Sequence, residues 1–214
     1  MRKLPRAVDG YIAAIYRSSV ITRTDLLEFA SLGVLAEGPL HGYALRKSLT
    51  EILGPFRALS YGSLYPCLRR LQDRGWIEQL GAVAGPTTKR ARVVYALTGD
   101  GKDAFTEWAN QPGSDAWDDE GFATRLAFFS RTEVSVRLRI LEGRRSRLEE
   151  RLALMRESMK RGRDRMDTFL LQMQEHGVEG AEREVSWLNS LILAERNLPK
   201  VGTSIAPKVK RSKK

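Results

Sequence analysis

A mainly α-helical fold in two parts is what this sequence predicts, and three observations carry that expectation. Up to residue 75, apolar residues recur at helical spacing in short segments separated by Gly and Pro. Two runs rich in branched and aromatic residues, 76–80 and 93–97, then read as a hairpin. Beyond residue 120 the apolar residues fall into a long seam with steps of four and three, the pattern of packed helices. Between the two parts, residues 111–119 turn to Pro, Gly, Ser and Asp, which marks a loop and a domain boundary.

In chain order, residues 1–24 form an expected helical arm, with Tyr11, Ile12, Ile15 and Tyr16 at helical spacing among Arg2, Lys3, Arg6, Arg17 and Arg23. Thr24 is a cap for a helix over 25–36, whose Leu26, Phe29, Ala30 and Val34 share a side and which ends at Glu37-Gly38-Pro39. A second helix over 41–53 turns Leu45, Leu49, Ile52 and Leu53 inward and stops at Gly54-Pro55. The third starts at Ser60, a good N-cap residue, and ends at Gly75. The strands 76–80 and 93–97 enclose the loop 81–92, and a fourth helix over 102–110 carries Phe105 and Trp108 on one side. Three helices followed by a hairpin is the order of a winged helix-turn-helix, here spanning 25–110.

The second domain, 118–198, opens with Phe122, Leu126 and Phe129 on one helical face, and Ser130-x-x-Glu133 is a capping-box pattern for the next helix. The seam then runs through Val134, Leu138, Leu141, Arg145, Leu148, Leu152, Met155 and Met159. Its steps continue across Gly162 to Met166, Phe169 and Met173, so the helix either runs on or hinges at Gly162. Glu175-His176-Gly177 is expected to break it, and a last helix over 179–198 carries Val185, Leu188, Leu191 and Ile192. The Lys-rich tail, 199–214, is expected to be disordered. Such a coiled-coil-like domain suits dimerisation through Val134, Leu138, Leu141, Leu148, Leu152, Met155 and Met159, with Trp187 and Leu188 from the last helix; a heptad equally serves packing within one chain. Arg145 interrupts the seam, and three roles fit it: an anionic ligand, an acidic residue across the interface such as Glu142 or Glu149, or fixing register at a cost in stability.

The net charge of +10 is unevenly spread. Residues 98–135 hold 3 basic against 8 acidic side chains, whereas 26–97 hold 9 against 5 and the tail holds 6 against none. A polyanion is the partner this favours, because neutralising phosphates releases condensed counterions. Cys67 is the only cysteine, so no disulfide within the chain and no cysteine-based metal cluster is expected, and His41 and His176 make no convincing metal site. No apolar run approaches the roughly 18 residues of a membrane span, which predicts a cytoplasmic protein without membrane contact. An enzyme is disfavoured: no nucleophile with its base, no phosphate-binding glycine loop and no ligand cluster can be assembled, and no cofactor is expected.

The segment Leu59 to Trp76 carries most of the functional reading. On a helical wheel Leu64, Cys67, Leu68 and Leu71 fall within an arc of about 100° and form an inner side. Opposite them lie Gly62, Tyr65, Pro66, Arg69 and Asp73, with Ser63 and Arg70 on one flank. A bare glycine lets the backbone approach another surface, and the arginines reach phosphates or fork onto guanine. A recognition helix in a major groove needs this arrangement, with Ser60, Tyr61, Gly62, Ser63, Tyr65, Pro66, Arg69 and Arg70 as the contact candidates. Two readings stay open for Tyr65, contact with DNA or packing inward, and Arg69 is either a base reader or a solvated cation. Lys89, Arg90 and Arg92 near the hairpin tip suit backbone phosphates beside that helix. Cys67 as a redox switch fits poorly, since its wheel position is buried.

The blocks Leu32-Gly-Val-Leu-Ala-Glu-Gly-Pro-Leu-His-Gly-Tyr-Ala-Leu, Tyr61-Gly-Ser-Leu-Tyr-Pro-Cys-Leu-Arg-Arg-Leu-Gln-Asp-Arg-Gly-Trp-Ile and Tyr95-Ala-Leu-Thr-Gly-Asp-Gly resemble, in order and spacing, the PadR family of transcriptional regulators. The second half, including the late Trp187-Leu188, resembles the C-terminal domain of that family's virulence-activator branch. The resemblance implies a homodimer that binds an inverted-repeat operator in double-stranded DNA, usually as a repressor, with an all-helical dimerisation arm. A small-molecule effector is a further implied partner. Trp108, Trp117, Phe122, Phe128, Phe129 and Trp187 either line its pocket or fill the core. The competing reading from another class is a winged-helix module that binds a protein through the same face.

Overall fold

The computed structural model describes residues 23–54, 61–85, 88–162 and 167–197, with the backbone alone at Arg23, Tyr61, Gly162 and between Ala82 and Arg92. The expectations for the N-terminal arm, Ser60, Met166 and the basic tail lie outside the described residues.

Helix α1 (Arg23–Leu35) is the pillar of the first domain. From Leu26 to Leu35 every residue is buried, so the helix has a core side all round rather than the single stripe the sequence predicts. It also starts before Thr24, which lies inside it instead of capping it. Phe29 is the hub: its ring lies 5.3 Å from that of Phe105 in a stacked arrangement and meets Trp108 and Phe128 edge-on at 6.1 Å and 5.4 Å. Strand β1 (Leu40–His41) follows, then α2 (Gly42–Leu53), whose first turn is capped by His41, its Nδ1 accepting from the Ala44 amide at 3.0 Å.

Helix α3 (Tyr61–Asp73) ends in a Schellman turn. Gly75 takes φ 72°, the Gly75 amide donates to the Gln72 carbonyl at 2.8 Å, and the Trp76 amide donates to the Leu71 carbonyl at 2.9 Å. That turn delivers the chain into β2 (Ile77–Gly85), which pairs antiparallel with β3 (Thr88–Leu97). Both strands run farther toward the tip than their branched residues predict, because backbone pairing continues beyond the apolar stretch. The sheet order is β1-β3-β2, with Leu40 opposite Tyr95 and His41 opposite Val94.

Helix α4 (Gly99–Asn110) begins three residues earlier than expected, because Thr98 caps it: its Oγ1 accepts from the Gly101 amide at 3.0 Å and donates to the Gly75 carbonyl at 2.7 Å. Gly101 sits where a Cβ would run into the Trp76 carbonyl, a rigid backbone group. Gly101→Ala is therefore expected to cost about 1–3 kcal/mol by overpacking. In thermal unfolding this should read as a fall of roughly 2–12 °C in Tm.

A 3-10 turn (Ser114–Trp117), α5 (Asp119–Leu126) and a second 3-10 turn (Phe129–Arg131) lead into α6 (Val134–Gly162). The capping box expected at Ser130 and Glu133 does not form, since Ser130 lies within the 3-10 turn and the helix begins only at Val134. The helix does not run on to Met173: α7 (Thr168–Asn197) is a separate helix, and Asp167 Oδ1 accepts from the Leu170 amide at its start at 2.8 Å. The break expected at Glu175-His176-Gly177 is absent, and α7 passes straight through it. A Cβ on Gly177 would come within 3.1 Å of the Met155 methyl, so this glycine allows two helices to approach and is not a stop signal.

Ion pairs between Arg137 and Glu195, Arg144 and Glu184, and Arg156 and Glu182 show that α6 and α7 run antiparallel. Arg145 is met within the chain, which none of the three expected roles describes: its Nη1 donates to Asn189 Oδ1 at 3.1 Å beside Glu149. The two cores meet at α5. Phe128 inserts its ring against Gly33 of α1, and Arg125 is buried beneath Phe29, donating from Nη1 to the Trp108 carbonyl at 3.0 Å. Among the described residues no helix is long and apolar enough to cross a membrane.

Candidate nucleic-acid interface

Helix α3 divides as its sequence pattern predicts. Leu64, Cys67, Leu68 and Leu71 are buried, while Gly62, Ser63, Tyr65, Pro66, Arg69 and Asp73 are exposed. Pro66 lies inside an unbroken helix, on its outer side. The outward face thus begins with short or rigid side chains over two turns and then reaches a cation at Arg69. Any flat surface can come close to the backbone there before meeting a long side chain.

Tyr65 falls between its two readings. The residue is 49% exposed, and its hydroxyl lies over Gly42 at the start of α2, where a Cβ would be 3.5 Å away. Gly42 leaves the phenol room to lie along α2 with its other edge in solvent. Neighbouring Tyr95 has its hydroxyl pKa raised by burial and, to a smaller extent, by Tyr65.

Arg70 is not the unencumbered cation that its flank position predicts. Its Nε donates to Glu28 Oε1 at 2.6 Å, and Arg74 donates from Nη1 to Glu28 Oε2 at 2.5 Å. Glu28 is fully buried on α1. Nothing in the sequence pairs these residues, which stand 42 and 46 positions apart; the sole signal is a carboxylate in the otherwise apolar Leu26-Leu27-Glu28-Phe29-Ala30. A buried charge has to be paired, and its partners come from the last turn of α3 and from the turn that follows it.

Lys89, Arg90 and Arg92 lie on β3, with Arg92 opposite Val83. They and Tyr61 are placed by backbone alone, so the described residues fix their positions on the hairpin and helix but not their reach.

Cys67 is enclosed between α1 and α3, its Sγ 3.8 Å from Ser31 Oγ, and burial pushes its thiol pKa up to about 12. The thiolate is the reactive form, so the folded protein should resist a maleimide at pH 8 and react within the dead time once unfolded in guanidinium. Rapid labelling of the native protein would contradict this placement.

The expected dimer seam needs revision. Leu141, Leu148, Leu152 and Leu188 are buried in the chain's own α5–α6–α7 core, with Leu138 packed against it, which leaves these residues little or no area for a second chain. Met155 and Met159 are half-buried. Val134 and Trp187 remain exposed, as do Phe169 and Met173 on the continuation of the seam and Leu154 and Leu193 off it. Phe169 is 83% exposed and Leu154 70%. Beside them a groove of about 590 Å³ opens between α5, α6 and α7, floored by Phe122, Leu126, Leu148 and Met155 and flanked by Arg151 and Trp187. The Phe122 and Trp187 rings meet edge-on at 6.2 Å. Of the other aromatics considered for a pocket, Trp108 and Phe128 belong to the core of the first domain.

Residues 32–107 match the model of the transcriptional regulator PadR-like family. The negative transcriptional regulator PadR of Bacillus subtilis (strain 168) is 29% identical over 178 residues, which span 78% of this chain and 96% of that protein. The crystal structure of Bacillus subtilis PadR in complex with operator DNA aligns at 26% identity over 79% of this chain and 98% of that one, with a TM-score of 0.38. That of Bacillus subtilis PadR in complex with p-coumaric acid aligns at 24% identity over 80% and 99%, with a TM-score of 0.36.

Proposed function

We propose, from the premise that residues 32–107 are a PadR-like transcriptional-regulator domain, that this chain is a DNA-binding repressor. It seats α3 in the major groove of an inverted-repeat operator, as a homodimer. The observation that carries the reading is the outer face of α3, where Gly62, Ser63 and Pro66 stand exposed ahead of Arg69 while the inner face is locked into the core. The sign of regulation follows the negative regulator to which the chain is similar along most of its length.

Dimerisation is supported by the number of large apolar side chains, Leu154, Phe169, Met173 and Leu193 among them, that the α6–α7 hairpin leaves in solvent for a partner to cover. The groove beside Trp187 has the size and the mixed lining of a small-molecule site, and an effector bound there releases the operator. The protein works in the cytoplasm, with Cys67 reduced.

Footprinting on the DNA upstream of its own gene and on genomic fragments tests this. Two protected half-sites related by a dyad, centred about 34 Å apart, are expected, with sedimentation at twice the chain mass. Absence of protection on every fragment overturns the reading. The competing protein-binding module is separated by replacing Lys89, Arg90 and Arg92 with alanine, which should lower DNA affinity and the salt slope together. For the effector, a thermal-shift screen with small aromatic and nucleotide metabolites is the direct assay, and a flat response would leave abundance as the control.

A further inference from the structure

The buried carboxylate on α1 has a role that helix packing alone does not require. We infer that Glu28 is a positioning residue for specific DNA binding, holding Arg70 and Arg74 from behind so that α3 keeps one register and Arg70 keeps one orientation; this rests on the DNA-binding reading above.

Each oxygen of Glu28 takes a different guanidinium, Oε1 from Arg70 in the last turn of α3 and Oε2 from Arg74 just past its end. Two anchor points on one rigid carboxylate fix both the rotation of α3 about its axis and its slide along α1. The two arginines then differ. Arg74 is 23% exposed and lies over the Trp76 ring at 5.1 Å, so it is held on both sides. Arg70 is 38% exposed and stands one turn after Pro66 and two after Ser63, on the strip that carries the exposed face. It is tied to Glu28 at Nε, and its side chain is partly exposed beside that face.

Packing would be served as well by an apolar residue at position 28. Leu26, Leu27, Phe29 and Ala30 around it are buried, and replacing a buried ion network by well-packed apolar side chains is often neutral or stabilising. What the carboxylate adds is preorganisation: a guanidinium already held in place loses less rotamer freedom when it meets a base edge or a phosphate. Arg69 beside it, which the carboxylate does not hold, gains its aim from the register of the helix.

Simple electrostatics and positioning predict opposite signs. Removing a carboxylate near a polyanion tightens all DNA binding, whereas losing the anchor loosens the specific complex and spares the nonspecific one. The test uses full-length protein with a footprinted duplex and a scrambled duplex, by fluorescence anisotropy at fixed salt, with circular dichroism to establish folding. Glu28→Gln is expected to lower the specific-to-nonspecific affinity ratio about tenfold or more while scrambled-duplex affinity holds or rises. Arg70→Lys keeps the charge and loses the fork, and should lower the ratio likewise. The double variant should be no worse than Glu28→Gln alone, because the carboxylate acts through that arginine. Should Glu28→Gln fail to fold, Glu28→Asp keeps the charge on an arm too short for both partners and should give an intermediate loss of the ratio. Folded variants that keep the wild-type ratio overturn the inference alone, as does a parallel loss on both duplexes. A wild type without operator preference overturns the DNA-binding reading and this inference with it.

Discussion

Arg125→Leu is expected to lower stability by about 3–5 kcal/mol, a Tm fall of roughly 6–20 °C, and the deficit should shrink in acid. Arg125 and Asp115 are both almost completely buried, with Nε to Oδ2 at 3.4 Å. The second carboxylate oxygen, Oδ1, has no hydrogen-bond partner among the described residues. Asp115 therefore depends on the guanidinium for compensation. Burial holds its pKa above the ordinary aspartate value, and Arg125 pulls the other way. A carboxyl with a raised folded pKa favours the fold when protonated, and that contribution is lost as pH rises from the unfolded pKa through the folded one. Leucine removes the opposing cation, so the folded pKa climbs farther and the loss extends to higher pH. The gap between the denaturation midpoints of wild type and variant should narrow below the ordinary aspartate range and widen toward neutrality; a gap constant with pH would refute the assignment. The same substitution cuts the tie to the Trp108 carbonyl and to the Phe29 ring, so coupling between the winged domain and the helical hairpin should weaken too.

Gly62→Leu should separate stability from function. Position 62 is exposed within a helix, where replacing glycine gains up to about 1 kcal/mol, so Tm should hold or rise. Operator affinity should fall about 100-fold, roughly 2.7 kcal/mol, because a branched side chain at the closest point of approach lifts Ser63, Tyr65 and Arg69 off the duplex together. Unchanged binding by a folded Gly62→Leu protein would remove α3 from the interface. An additive loss from single changes at Ser63 and Arg69 would instead indicate independent contacts.

Helix α3 was legible because its two faces are chemically unlike: Leu64, Cys67, Leu68 and Leu71 occupy one arc and no charged residue intrudes on it. What stayed hidden depends on partners remote in the chain. Strand β1 is two residues long and exists only because β3 lies beside it. Glu28 gives no hint of Arg70 and Arg74 until α1 and α3 are packed. The heptad seam was seen, yet knobs at Leu141, Leu148 and Leu152 fit any facing helix, and here α7 of the same chain fills that place. Gly177 was misread for the related reason that a glycine signals close approach or termination, and only the position of Met155 decides between them.

The central claim is that the exposed face of α3 is held ready for DNA. The most direct measurement is the affinity of full-length protein for the duplex upstream of its own gene as salt is varied. Three to five phosphates neutralised by each protomer of a dimer predict a linear log–log plot with a slope of roughly −5 to −9. A duplex that is not retained at low salt, or an affinity indifferent to salt, would contradict the account.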